Sequence, residues 1–192
     1  MNTKTIAITI IFSALAIALI PFKIPAIFLF GFYYRLTEIP IVTCFLIFGL
    51  KCAVSVALIT TLAQLTILID STGIVGPSVG LLTLLIMLLG LYATQRLMKQ
   101  KSLSNEHSKI KSILFFTGSG TLSRIAISPF ATYLLFGLLI PLTGGPTFSN
   151  DFIIGIMPFT LLFGATVSLY TIPLSYPIAR LINKQMKIDA LT

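Results

Sequence analysis

The stretch SILFFTGSGTLSRIAISPFATYLLFGLLI, residues 112–140, is apolar apart from small polar side chains and one charge, that of Arg124. A helix needs about 20 predominantly apolar residues to cross the hydrocarbon core of a bilayer. The stretch therefore predicts a membrane-spanning helix. A charged residue within a span is costly and usually marks a functional position, so Arg124 is a candidate for contact with a substrate.

Similar apolar runs lie on both sides of this stretch. Charged residues make up only 9% of the chain, whereas soluble domains contain about 25%. The predicted fold class is an all-α integral membrane protein, a six-transmembrane-helix bundle forming a single membrane domain over residues 1–192. The predicted spans are approximately 5–21, 37–50, 52–70, 78–98, 112–140 and 152–182, with a cytoplasmic loop at 99–111.

The basic residues predict the orientation of the bundle. With the amino terminus inside, the outer side holds only Lys23 and Arg35. The cytoplasmic segments hold Lys4, Lys51, Arg96, Lys99, Lys101, Lys109, Lys111, Arg180, Lys184 and Lys187. This positive-inside bias predicts that both termini are cytoplasmic. The net charge of +8 is thus explained by membrane topology, with the basic residues next to the headgroups of the lipid bilayer. No nucleic acid partner is expected.

The chain offers few groups for chemistry. Its five acidic residues all lie at predicted span ends or in loops. Among them, Glu38 follows Thr37 and precedes Pro40, a pattern typical of a helix amino terminus. No metal-binding helix motif, paired acids or nucleophile elbow is present, so we expect no enzyme, no cofactor and no metal site.

Binding remains as the expected activity. Arg124 either meets an anionic group of a substrate, pairs with helix carbonyls or extends toward the cytoplasmic face. Polar and aromatic side chains at Thr132, Tyr133, Phe159 and Thr160 lie in the outer halves of spans, where a small-molecule pocket would open outward. Pro158 is expected to break the sixth span and expose polar backbone to a substrate.

Three stretches resemble the substrate-binding S components of energy-coupling-factor (ECF) vitamin transporters, most closely the riboflavin-type branch. They are YRLTEIPIVTCFLIFG at 34–49, GTLSRIAISPFATY at 120–133 and GIMPFTLLFG at 155–164. The resemblance implies a multi-pass protein of a prokaryotic plasma membrane that captures a vitamin outside the cell. It also implies partners, an energy-coupling transmembrane subunit and two cytoplasmic ATPases that drive import.

The resemblance also implies roles for particular residues. In this family the first outer loop covers the ligand, a role that would fall to Tyr33 and Tyr34. The first helix docks the coupling subunit through small residues, here Ala14 and Ala18. The candidate substrate-binding residues are Tyr33, Tyr34, Gln64, Ser78, Arg124, Thr132, Tyr133, Phe159 and Thr160.

The sequence departs from the riboflavin-type pattern at several expected contacts. Thr132 and Thr160 stand where asparagines are usual, Phe163 replaces a lysine, and a basic residue is missing at Thr60–Thr61. The cargo therefore stays open between riboflavin and another vitamin or small nutrient. Two other functions stay open, a stand-alone secondary transporter and a structural or assembly membrane protein without a ligand.

Overall fold

The computed structural model describes residues 3–26, 32–67, 75–100 and 108–186. Within these ranges the chain is mostly helical and contains one short β-hairpin. The elements are α1 Thr3–Ala18, β1 Lys23–Pro25, β2 Tyr33–Arg35, α2 Glu38–Phe48, α3 Leu50–Ile67, α4 Val75–Gln100, α5 Ser108–Tyr133, a π-helical segment Leu134–Leu139, α6 Ile140–Leu142 and α7 Asn150–Met186. Most of the predicted 99–111 loop lies outside the described residues, as does the end of the predicted third span, residues 68–70.

A helix lies at each of the six positions where a span was predicted. Three helical segments of the described chain are long and apolar enough to cross a membrane, namely Val75–Leu97, Ile113–Leu142 and Asn150–Gln185. The other three are apolar but shorter, at Thr5–Ala18, Glu38–Phe48 and Leu50–Thr66. The mostly helical fold with long apolar helices is thus confirmed, whereas six crossings and cytoplasmic termini remain predictions.

Helix α2 forms the centre of the bundle. Its sequence is apolar on every side, and eight consecutive residues, Pro40–Ile47, are buried. A helix that is apolar all round is stable only when other elements surround it. Helices α1, α3 and α7 pack around α2, and Phe45 joins Met87, Leu88, Leu91 and Ile172 in the main core.

Small residues allow α4, α5 and α7 to approach one another closely. A β-carbon added at Gly90 of α4 would lie 1.9 Å from Ser123 Oγ on α5. One added at Gly120 would lie 2.5 Å from Ile172 Cδ1 on α7. Close approach through small residues gives tight van der Waals packing, which drives helix association in lipid. This packing holds the middle of α5, and with it Arg124, against its neighbours.

The prediction that Pro158 breaks the last helix was wrong. Helix α7 continues without a break through Pro158, Pro173 and Pro177. Each proline removes one backbone donor, and the hydrogen bonds on either side hold the helix together. The irregular backbone lies instead at the end of α5, where the chain turns into the π-helical segment Leu134–Leu139, a few residues after Pro129.

The first loop contains the antiparallel hairpin, so the fold is not purely α-helical as predicted. Lys23 pairs with Arg35, Ile24 with Tyr34 and Pro25 with Tyr33. A further bond joins the Ala26 amide to the Phe32 carbonyl at 2.9 Å. The β-branched and aromatic residues of these strands favour extended backbone. The hairpin places its second strand directly before α2, beside the cavity described next.

Candidate functional site

A cavity of about 360 Å³ lies at one end of the bundle. It is bounded by the start of α2, the end of α3, the start of α4, the second halves of α5 and its π-helical extension, the first half of α7 and the hairpin. Its α7 wall consists of Thr160, Phe163, Gly164 and Val167, whose spacing places them on one face of a helix. The α5 wall includes Arg124, Ser128 and Thr132 at four-residue intervals. The cavity is therefore formed by regular helix faces rather than by loops alone.

Arg124 and Glu38 form a buried ion pair in the wall of this cavity. Arg124 Nη1 donates to Glu38 Oε2 at 2.5 Å, and Nη2 donates to Oε1 at 2.9 Å. The side chains are only 5% and 14% exposed, respectively. Two parallel charge-assisted hydrogen bonds fix both groups in one geometry. The partner of Arg124 is thus a carboxylate from α2. Arg124 neither pairs with helix carbonyls nor extends toward the cytoplasmic face, the two structural alternatives considered from the sequence.

A second polar pair lies nearer the hairpin. Arg35 Nη1 donates to Gln64 Oε1 at 3.0 Å, joining β2 to the end of α3. Both residues line the cavity, and Gln64 is buried. Across the cavity, Thr132 Oγ1 lies 2.7 Å from Thr160 Oγ1 and links α5 to α7. The walls thus combine hydroxyl and amide groups with two cations and one carboxylate.

Aromatic side chains attach the hairpin to α7. The Tyr34 ring stacks on Phe163 with centroids 5.0 Å apart, and its hydroxyl lies 3.1 Å from Thr166 Oγ1. Tyr170 donates from its hydroxyl to the Arg35 carbonyl at 3.0 Å. Phe32, at the start of the same strand region, makes an edge contact with Phe163 at 5.3 Å. These contacts hold the hairpin against one side of the cavity.

The structure brings together five of the predicted binding residues. Tyr33, Gln64, Arg124, Thr132 and Thr160 line the cavity. Tyr34 lies behind the wall and supports Phe163, which does line it.

The other three predicted residues lie outside the cavity wall. Tyr133 and Phe159 are 54% and 47% exposed and face away from it. Each adjoins a lining threonine, and one step along a helix turns a side chain by about 100°. Ser78 is exposed beside the lining residues Pro77 and Val79. The positions of Ser78, Tyr133 and Phe159 in the structure therefore do not support their predicted role in binding.

Several lining residues were not singled out by their sequence pattern. Glu38 was assigned to a helix start, Thr60 and Thr61 were noted only as departures from a family pattern, and Arg35 was placed in an outer loop. The four-residue spacing of Arg124, Ser128 and Thr132 was a signal for a polar face on α5. No local pattern indicated that Glu38 would reach that face, since the two residues lie 86 positions apart.

The predicted docking residues lie on the outer face of α1. Ala14 and Ala18 are both exposed, one turn apart, with Ile10, Ile11 and Leu15 nearby on the same exposed side. Ser13 and Ala16 face inward and are buried. A small-residue surface of this kind permits close approach of another membrane helix.

In the part of the chain that the structure describes, no three His, Cys, Asp or Glu side chains are grouped so as to hold a metal ion. The cavity's charged groups are instead those of two arginines and one glutamate.

Comparison with solved structures identifies a similar fold. The chain resembles a protein described as the S component of a bacterial ECF transporter, with 23% sequence identity and a TM-score of 0.61. The alignment covers 95% of this chain and 99% of that one. Neither a family model nor a curated protein matches the sequence. The chain therefore has the S-component fold over nearly its whole length.

Proposed function

We propose that this protein is the substrate-binding subunit, or S component, of an ECF-type importer. It captures a vitamin or related small nutrient in the cavity between α2, α3, α4, α5 and α7. The observation that carries the proposal is this cavity of about 360 Å³, which lies within an S-component fold that covers 95% of the chain. Small-molecule sites are usually clefts of about 300–1,000 Å³ with a few well-placed polar groups among apolar ones.

The proposed orientation places the cavity outside the cell. With a cytoplasmic amino terminus and six crossings in a prokaryotic plasma membrane, α2 begins and α3 ends at the outer side. The positive-inside distribution of Lys and Arg supports this orientation. The hairpin then lies over the outer entrance, in the position where a covering loop would act.

We further propose that import requires partner subunits. The chain has no nucleotide-binding motif, so energy would come from two cytoplasmic ATPases acting through a coupling subunit in the membrane. The exposed positions of Ala14 and Ala18 support α1 as the docking helix. The protein itself is then not an enzyme, and it needs no cofactor.

The cargo is a separate question. Thr60, Thr61, Thr132, Thr160 and Phe163, the positions that depart from the riboflavin-type pattern, all line the cavity. Replacing amide or basic groups by hydroxyl and phenyl groups changes the hydrogen bonds offered to a ligand. These changes support a cargo that differs from riboflavin in its polar groups.

Mass spectrometry of the detergent-purified protein tests the proposal. Denaturing the protein should release one small molecule in stoichiometric amount, and adding that compound should raise the melting temperature. At a thousandfold excess over the dissociation constant, the gain in stability is about 4 kcal/mol. A protein that releases nothing and responds to no vitamin would instead support a structural or assembly role.

One observation favours a second function, that of a stand-alone secondary transporter. Glu38 places a carboxylate in the cavity, and membrane carboxylates can couple transport to protons or cations. Uptake of the cargo into proteoliposomes that contain only this protein would establish that function. Uptake only after the ATPases and the coupling subunit are added would establish the importer.

A further inference from the structure

A second cavity lies at the opposite end of α2 from the first. It has a volume of about 380 Å³, and its walls come from the end of α2 and the last third of α4. The lining residues are 46–49 at the end of α2 and Tyr92, Gln95 and Arg96 on α4. None of them lines the first cavity, so the two cavities are separate sites. In the proposed orientation, the second cavity lies at the inner surface of the membrane.

The α2 wall of this second cavity offers hydrogen-bond acceptors. Helix α2 ends at Gly49, which has a φ of 85° and donates its N–H to the Phe45 carbonyl at 2.9 Å. The carbonyls of Leu46, Ile47 and Phe48 accept no hydrogen bond from any residue that the structure describes. Such carbonyls form the negative end of the helix dipole and attract donors and cations. The wall is open at this point, since nothing lies within 4 Å of a β-carbon added at Gly49.

The α4 wall supplies a cation. The Arg96 guanidinium lies over the Tyr92 ring, 5.5 Å from its centroid, and Arg96 is exposed. A cation–π contact of this kind holds the guanidinium in place while leaving its N–H groups available. Among the described residues, no partner bonds to the Arg96 guanidinium, to the Gln95 amide or to the Tyr92 hydroxyl. The planar N–H fork of an arginine suits two oxygens of one phosphate group.

The described residues around this end of the bundle carry positive charge only. The acids of the described chain are Glu38 and Asp151, the first residue of α2 and the second of α7, and thus lie at the other end of each helix. Exposed cations lie near the ends of α4 and α7 and at the start of α3, namely Arg96, Arg180, Lys184 and Lys51. The second cavity therefore attracts an anionic group, and no described carboxylate competes for Arg96.

The surface beside the second cavity suits an acyl chain. Leu89 and Ala93 are exposed on α4, between Arg96 and the middle of the helix. In a bilayer this apolar strip lies in the hydrocarbon region, next to a polar cavity at headgroup depth. Basic pockets between membrane helices on the cytoplasmic side are known to bind lipid headgroups.

We infer that the second cavity binds the headgroup of a membrane phospholipid. Arg96 holds the phosphate, and the carbonyls at the end of α2 accept from an N–H or O–H donor of the same headgroup. This combination selects a phosphodiester that carries a donor close by, such as the ammonium group of phosphatidylethanolamine. The inference goes beyond the proposed function, because the lipid is bound apart from the cargo and is not transported.

A matched pair of lipids tests the role of the α2 carbonyls. Native mass spectrometry of the full chain in detergent measures the binding of phosphatidylethanolamine and of phosphatidylcholine with the same acyl chains. Both headgroups are zwitterionic, but the trimethylated ammonium of phosphatidylcholine has no N–H. We expect phosphatidylethanolamine to bind about threefold to tenfold more tightly. Equal binding of the two lipids would overturn the inference.

A matched pair of variants tests the role of Arg96. Arg96→Gln should weaken the binding of phosphatidylethanolamine about threefold to tenfold, and Arg96→Lys should weaken it less, since it keeps the charge and loses the fork. The control is Arg180→Gln, which removes the same charge from an exposed position outside the cavity and should bind the lipid normally. Equal losses in Arg96→Gln and Arg180→Gln would indicate general attraction to the basic surface and would overturn the site.

Two further measurements separate this site from its alternatives. Glycerophosphoethanolamine carries the same headgroup without acyl chains and, at the same concentration, should not displace the lipid. Displacement would assign the second cavity to a soluble phosphodiester and overturn the lipid. Arg96→Gln should keep the melting temperature of the wild type and bind the copurified cargo normally, because Arg96 lies outside the first cavity. Loss of the cargo together with the lipid would contradict two separate sites.

Discussion

Glu38 and Arg124 lie 86 residues apart in the sequence and meet through two hydrogen bonds of 2.5 and 2.9 Å. The pair joins the first residue of α2 to the middle of α5 in the wall of the cavity. Either charge alone would be destabilising in this buried position, and the pairing offsets part of the cost of burying both. The contact therefore fixes the start of α2 against α5 in the cavity wall.

The first prediction concerns the stability that depends on this pair. Glu38→Gln or Arg124→Gln should each lower the free energy of unfolding by about 3–5 kcal/mol, because one buried charge then lacks its partner. The double variant should be less destabilised than the sum of the two, since no uncompensated charge remains. Thermal unfolding in detergent measures all three, and strictly additive losses would show that the two side chains do not interact.

The second prediction concerns the approach of α4 to α5. Gly90→Ala should lower the melting temperature, because the new β-carbon would lie 1.9 Å from Ser123 Oγ and 2.7 Å from Ser123 Cβ. Overpacking of this kind typically costs about 1–3 kcal/mol. Gly118→Ala on α5 is the matched control, since nothing lies within 4 Å of its added β-carbon. Similar melting temperatures for both variants would contradict the tight packing.

The third prediction concerns the attachment of the hairpin to α7. Tyr34→Phe keeps the ring that stacks on Phe163 and removes the hydroxyl near Thr166. The free energy of unfolding should therefore fall by about 1 kcal/mol, the usual net contribution of one hydrogen bond. Tyr34→Ala also removes the stacking and should increase the rate of ligand dissociation more strongly. Stopped-flow dissociation of the copurified ligand provides the measurement. Identical rates for wild type and Tyr34→Ala would mean that the hairpin does not retain the ligand.

The fourth prediction concerns the exposed face of α1. Ala14→Trp and Ala18→Trp should block assembly with the coupling subunit and leave ligand binding unchanged, because a large ring prevents close helix approach. Copurification with the coexpressed partner subunits is the readout. Leu122→Trp is a suitable control, since Leu122 is 69% exposed on another helix. Normal assembly of both alanine variants would place the partner on a different face.

The helical architecture was largely predictable from the sequence. Long apolar runs must satisfy their backbone groups internally in a bilayer, which leaves helices as the available structure. The runs at 78–98, 112–140 and 152–182 correspond to the three helices long enough to cross a membrane. The hairpin was not predicted, since its three-residue strands are too short to show an alternating pattern.

The candidate site was only partly predictable. Arg124 stood out because a charge in an apolar run is rare, and Thr132 and Thr160 followed from their places in the outer halves of two spans. Tyr133 and Phe159 were misplaced because residue type alone does not give the rotation of a helix about its axis. That rotation is fixed by packing, here by close contacts such as Gly164 against Ser128, where an added β-carbon would lie 2.9 Å from the serine Oγ.

The sequence by itself determined that the chain forms apolar helices and that its basic residues gather between them, because hydrophobicity and charge are local properties of each segment. Only the tertiary structure decided which side chains share the cavity and that Glu38 is the partner of Arg124. These facts depend on the rotation and register of helices that are distant in sequence. Long-range packing sets both, and no single stretch of the chain contains that information.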